Sequence, residues 1–349
     1  MNKGKKMKHI WKTLALAAIV VTGCAKENSS NSTNELAREY LEAWIAVHYP
    51  DAQKTADGIY LLEDTPGTGA AWNGELAYTL ADYTIRALSG TISSSTSADI
   101  AKQLGTYSVA NFYGPKVIIT GESASYAGVD AMLSGMKVGG TRSAIIPSWL
   151  MTTSRYDTEA DYFKHESTTA AAIYTIHLTG QFEDLTRWEK DSLAAYVERH
   201  FPGTESATFS EDIEAEDSGF YFITDYVPDE DAVAFPNDTT LKLNYIGRLL
   251  NGQVFDTSIA DTAKFYGIYN ASRTYEPVSI TFSSTYSDIT MDDNSPITGF
   301  QGALFLMEDP HQKATTLFIS DYGYTSSGSG NTIPPYSPLR FDLELVGND

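Results

Sequence analysis

The chain states one pattern twice. Tyr83-Thr-Ile-Arg86-Ala-Leu88-Ser-Gly90 aligns with Tyr245-Ile-Gly-Arg248-Leu-Leu250-Asn-Gly252 at an offset of 162, and the same offset pairs Ala101-Lys102 with Ala263-Lys264. Gly105 with Gly267, Tyr107 with Tyr269, Tyr113 with Tyr275 and Pro115 with Pro277 continue the series. A register held over some thirty residues makes two structural repeats the simplest organisation of the 349 residues. Length alone also suggests two globular domains.

Each copy follows a helical pattern. Leu41, Trp44, Ile45 and Tyr49 precede the first, and Leu193, Tyr196, Val197 and Phe201 the second, both at i, i+3, i+4, i+8 spacing and closed by Pro50 and Pro202. Such stripes are ordinarily core-facing helix surfaces. Strand-like runs come next, at Gly58-Ile-Tyr-Leu-Leu62 and Gly219-Phe-Tyr-Phe-Ile223. Alternation is plain at Leu241, Leu243, Tyr245 and at Leu339, Phe341, Leu343, Leu345, the pattern of antiparallel strands with one buried and one wet face. Between them Phe300, Ala303, Leu304 and Met307 fall on one side of a short helix, with Gly128 to Met136 in its place in the first copy and Tyr174, Ile176, Leu178 as that copy's closing strand. The expected fold class is α+β.

The chain begins with Lys3, Lys5, Lys6, Lys8 and Lys12, then an apolar run from Leu14 to Val21 ending at Cys24. That is the layout of a secretory leader, too short to span a bilayer core. The small residues before Cys24, the sole cysteine, resemble a bacterial lipobox, which implies acylation of Cys24 and attachment to a lipid bilayer. Residues 1–23 read as the signal peptide, 24–33 as a polar tether, 34–182 and 183–349 as the two helix-plus-sheet units. The formal charge is −21, and the leader holds five of the lysines and no acid. An excess of this sign repels phosphate, so nucleic acid is not an expected partner and any membrane attachment comes from acyl chains. Acidic runs such as Glu211 to Asp217 and Asp229 to Asp231 read as solvated surface, lacking the glycine of a calcium loop. The six histidines form no ligand pair at i+2, i+3 or i+4, and no nucleophile elbow or phosphate loop is present, so neither a metal nor a cofactor is expected.

The second copy carries a further series: Tyr245-Ile-Gly247, Gly252-Gln-Val-Phe255-Asp256, Ile297-Thr-Gly299-Phe300, Tyr322-Gly-Tyr324, Ile333-Pro334-Pro335 and Leu339 to Leu345. In order and spacing this resembles the FKBP-type peptidyl-prolyl isomerases over roughly 110 residues. The resemblance implies two FKBP-like domains, each a curved antiparallel sheet wrapped on a short helix. It also implies that Tyr245, Phe255, Phe300 and Phe341 wall a slot for proline. Ile297 would stand beside it with its N–H facing a substrate carbonyl, Tyr324 would donate from its hydroxyl, Asp256 would place a carboxylate at the twisting bond, and Ile333 would close the rim. Asp256, Tyr324 and Phe255 are the catalytic candidates, and the implied partners are proline-containing polypeptides exported to the cell envelope, on a periplasmic or surface face of the outer membrane.

The sequence departs from the family pattern at several positions. Phe300 stands where tryptophan is usual, Val278 where an aromatic is usual and Pro296 where an aliphatic residue is usual, while the stretch from Tyr286 to Ser295 is an insertion expected to form a flap. In the first copy Ser93-Ser94 replaces Phe255-Asp256, Val129 replaces Phe300 and Met151 is placed opposite Tyr324, so that copy is expected to be inactive. Two functions stay open: an isomerase acting through the second domain, or a chaperone-like envelope lipoprotein that grips such segments without catalysis. The helix from Leu185 to Phe201 is long enough to pair two chains.

Overall fold

The computed structural model describes residues 33–120, 125–165, 169–227 and 234–347. The leader, Cys24 and the acidic run at Asp229 lie outside these residues, and Thr33, assigned to the tether, already opens the first helix. Among the described residues no helix is long and apolar enough to cross a membrane.

The first unit runs α1 (Thr33–His48), β1 (Gln53–Lys54), β2 (Tyr60–Thr65), β3 (Tyr78–Ala87), β4 (Ile92–Ser95), α2 (Ala98–Gln103), β5 (Lys116–Ile119), α3 (Ala127–Leu133), β6 (Thr141–Ile146), α4 (Glu159–Phe163) and β7 (Ala172–Phe182). The second runs α5 (Leu185–His200), β8 (Phe220–Thr224), β9 (Thr240–Leu249), β10 (Val254–Thr257), α6 (Ala260–Phe265), β11 (Val278–Thr281), β12 (Thr290–Met291), α7 (Thr298–Phe305), β13 (Lys313–Phe318) and β14 (Leu339–Gly347). Their antiparallel sheets share one topology: β2-β6-β7-β3 with β4 and β5 on β3, and β8-β13-β14-β9 with β10 and β11 on β9. Elements β3, β4, α2 and β5 begin and end 162 residues before β9, β10, α6 and β11. The repeat read from sequence is thus a repeat of structure, without insertion, from Tyr78 to Ile119.

Beyond Ile119 the spacing widens. The short turns that follow β6 and β13, Ser148–Leu150 and Ser320–Tyr322, are 172 apart, which sets Thr152 rather than Met151 opposite Tyr324. The extra length in the second copy is the insertion before Ile297, and it is no free flap. Ile289 is fully buried, the Gln301 amide donates to the carbonyls of Ser287 (3.0 Å) and Ile289 (2.9 Å), and Thr290–Met291 adds an edge strand. A buried glutamine with both bonds made holds the segment against α7.

The sheet of the second unit has two dressed faces. Leu339, Phe341, Leu343 and Leu345 point inward onto α7, whose Gly299 is required because a Cβ there would lie 2.5 Å from the Phe318 ring. On the outer face Leu193 and Val197 of α5 pack with Leu317 and Ile319. The stripe read from sequence as a core-facing helix surface is thus buried on this unit's own sheet.

Helix α5 is also locked by a buried acid. Glu189, 1% exposed, accepts from the Ser320 N–H (2.6 Å) and hydroxyl (2.7 Å). Burial pushes its carboxyl above the usual range, and the two Ser320 bonds pull back without prevailing. The folded chain therefore holds this proton to higher pH than the unfolded chain does. The group's contribution to stability is complete below about 4.5 and is lost as pH rises through the raised value. Glu189→Gln, which can keep both bonds, is expected to flatten the dependence of melting temperature on pH above 4.5. A variant whose pH profile matches the parent's would show that other groups set it.

The two units are joined by an aromatic stack. Phe182 lies flat on Trp188 of α5 (4.5 Å, 1°) and on Tyr78 (5.6 Å, 13°), and Tyr78 meets Tyr336 of the second unit edge-on (6.2 Å, 73°).

Candidate active site

The site grows from a glycine on β9. Phe341 of β14 is registered opposite Gly247, and a Cβ at Gly247 would lie 2.6 Å from the Phe255 ring and 2.9 Å from that of Phe341. Removing the side chain at this one rung lets two rings meet over the strand, 5.6 Å apart at 85°. Phe300, presented by α7, meets Phe341 at 5.1 Å and 87° and Tyr245 at 5.9 Å and 89°. Edge-to-face rings of this kind hold one another's orientation beyond simple burial. Tyr245, Phe300, Phe341 and Ile333 are buried, whereas Phe255, Ile297 and Tyr324 are half-buried and form the open side.

The polar lip is built on the β9–β10 pair. Tyr245 donates its hydroxyl to Asp256 Oδ2 at 2.7 Å, while Asp256 Oδ1 takes the Thr257 N–H at 2.8 Å and an ion pair from Arg273. Arg273 also reaches the Tyr245 oxygen at 3.1 Å and lies over the Tyr275 ring. Burial first, then the Asp256 charge, drives the Tyr245 phenol far above its ordinary range. Burial and the same charge raise that of Tyr324. Both hydroxyls therefore stay protonated donors. The Tyr324 hydroxyl and the Ile297 N–H donate to no other group among the described residues, which leaves both available to a bound carbonyl. Rim loop 325–332 is pinned by Ser329 N–H to the Ile333 carbonyl (2.7 Å) and by Tyr336 N–H to that of Thr325 (2.9 Å).

All eight candidates from the sequence occur in this one domain, and the aromatic ones converge. Asp256 differs from expectation: it is not a bare carboxylate but one member of a trio with Tyr245 and Arg273. Sequence reading missed Arg273, which sits in an aperiodic loop. The repeat held the clue, since the first unit has Ser94 at the position of Asp256 and Asn111 at that of Arg273. Acid and base are lost together. Ile85 occupies the position of Gly247 and is registered with Tyr174, as Gly247 is with Phe341, so the space a ring would need is filled. Tyr174 instead donates to the Met151 sulfur at 3.8 Å.

A separate hollow of about 1110 Å³ lies in the first unit beside Trp72, Asp130 and Arg155. It is lined by an Arg155–Asp130 ion pair at 2.5 Å and by Trp72, Tyr156 and Tyr162, the last two edge-to-face at 4.9 Å, and it includes none of the eight candidate residues.

A sheet folded over a short helix thus brings a set of mutually packed rings beside a phenol–carboxylate–guanidinium trio. Residues 233–346 match the family model for the FKBP-type peptidyl-prolyl cis-trans isomerases. The chain is 34% identical over 110 residues to the macrophage infectivity potentiator of Trypanosoma cruzi, covering 31% of this chain and 43% of that protein. It is 29% identical over 123 residues to FK506-binding protein 2 of Dictyostelium discoideum, covering 35% and 74% respectively. The chain thus spans less than half the length of the first of these relatives. Among solved structures, FkpA from Escherichia coli is similar at 22% identity with a TM-score of 0.29, over 46% of this chain and 56% of that one. The three FKBP domains of wheat FKBP73 are similar at 14% identity with a TM-score of 0.28, over 84% and 95%.

Proposed function

We propose that the C-terminal domain accelerates cis–trans rotation of X-Pro bonds in exported polypeptides, from a chain held at the cell envelope by an acylated Cys24, and that the first domain is inactive. The observation that carries this reading is the Tyr245–Asp256–Arg273 trio set against the rings of Phe255, Phe300 and Phe341. Rotation must break amide conjugation, a barrier of about 18–20 kcal/mol. Five decades of acceleration need about 7 kcal/mol from the site. No covalent bond is made or cleaved. A ring-lined cleft favours the twisted, less dipolar amide over the planar one, because the planar form loses more hydration on entering. Tyr324 and the Ile297 N–H can hold the flanking carbonyls while the bond turns, and the trio fixes its dipoles before substrate arrives, so little reorganisation is required.

Grip without catalysis is the second reading, and the smaller ring at Phe300 favours it. A protease-coupled assay on residues 25–349 separates the two. Acceleration is expected at micromolar protein, with Tyr324→Phe lowering kcat/KM by up to about tenfold, the net worth of one neutral hydrogen bond. No acceleration by the parent chain would end the catalytic reading. Labelling of cells with a fatty acid should mark the protein, and Cys24→Ser should not be marked.

A further inference from the structure

The first domain does more than precede the second, because its loop 105–114 lies across the second domain at the edge of the cleft. Three separate contacts hold it there. Phe112 donates its N–H to the carbonyl of Asn331 at 2.7 Å, and the Gln253 side-chain amide donates to the carbonyl of Ala110 at 3.1 Å. Val109 lies so close to Gly267 that a Cβ added there would be 3.2 Å from its methyl group. Gln253 stands two residues before Phe255, and Asn331 two before Ile333, so the loop bridges the two rim segments that flank the cleft. Between these anchors the Phe112 ring is half-buried against the same apolar cluster that contains Ile333, Phe341, Tyr245 and Phe300.

The repeat shows that this ring is no inherited fold requirement. Tyr107, Tyr113 and Pro115 keep their counterparts Tyr269, Tyr275 and Pro277, and Tyr107 stacks on Tyr113 as Tyr269 does on Tyr275 (5.3 and 5.1 Å). The loop therefore has the same internal support in both units. Yet position 112 is phenylalanine where the second unit has Thr274. The ring is not part of that shared support: it lies beside Gly114 of its own loop and packs on the neighbour's apolar cluster.

We propose that Phe112 forms an outer wall of the second domain's cleft and sets its preference for an apolar residue next to the substrate proline. This rests on the reading of that cleft as the prolyl site. The substrate-binding unit is then the pair of domains, one supplying the slot and the other a side of its entrance. A fixed apolar wall contributes contact with a large flanking side chain and none with a small one, so the discrimination falls on KM rather than kcat.

The test compares the full chain with Phe112→Ala and Phe112→Leu on peptides carrying alanine, leucine or phenylalanine before the proline, all proteins first shown by thermal melting to be folded. The parent is expected to favour leucine and phenylalanine over alanine, and Phe112→Ala to narrow that preference by about tenfold through KM, the low end for one methylene in an apolar pocket, as befits a wall on one side only. Phe112→Leu should restore most of it, which a purely structural role would not predict. An unchanged preference in Phe112→Ala overturns the proposal, and so does an equal rise in kcat/KM for every peptide, which would make the loop a simple obstruction. Dissociation constants for the same peptides are measured by fluorescence anisotropy in parallel. If the parent binds without catalysing, the isomerase reading fails, and the wall is still judged by whether the binding preference narrows; a parent that binds none of them overturns it.

Discussion

Replacing Asp256 by alanine is expected to lower kcat/KM by about 10- to 100-fold, the scale seen when a preorganised polar group is removed from an active site. The loss should fall on kcat, because the trio acts on the twisted amide more than on the planar one. Arg273→Ala should cost a similar factor, and the double variant little more than the worse single one, since the three groups work as a unit. Stability serves as the control. The ion pair is more than a third exposed on both sides, at 39% for Arg273 and 35% for Asp256, so its net contribution to folding is only about 0–1 kcal/mol. Variants that remain folded and equally active would reduce Asp256 to a turn residue with a surface partner.

The largest effect on stability is expected at Phe341. Its ring is 4% exposed and meets Phe255, Phe300 and Tyr245, while Phe318 stacks against it at 5.8 Å and 16°. Phe341→Ala leaves a void among rings that cannot collapse far, because Gly247 and Gly299 already bring backbone close to Phe255 and Phe318. A loss of about 3–5 kcal/mol is expected for such a cavity. Urea unfolding of the full chain, followed for the second domain's transition, measures it. Phe255→Ala, at the half-open mouth, should cost less. Equal losses at the two positions would mean that the mouth is packed as tightly as the floor.

Much of this architecture could be read before any coordinates, and the reason is physical. Alternation in β9 and β14 follows from one face lying on α7, and the stripes of α1 and α5 follow from burial of Leu41 and Ile45 or Leu193 and Val197. Periodicity reports burial, and the aromatic candidates are all core or near-core residues. What escaped were groups whose partners lie far along the chain in aperiodic loops. Arg273 finds Asp256 across 17 residues, and the insertion before Ile297 is anchored by one glutamine. The pairing of Met151 with Tyr324 went astray because the repeat's offset changes after Ile119, where loop lengths diverge while strand lengths do not. Contacts between domains carry no local signature at all, and Phe112 belongs to that class.

The join between the halves has little slack. β7 ends at Phe182, Asp184 already caps α5 by accepting from the Arg187 N–H at 2.9 Å, and the Phe182 ring is clamped between Trp188 and Tyr78. A body connected in this way does not swivel on a cord; it is carried like the head of a wrench on its shaft. Whatever orients the first half therefore also aims the mouth of the second, and lengthening the chain at Glu183 would change that heading without touching a single residue of the pocket.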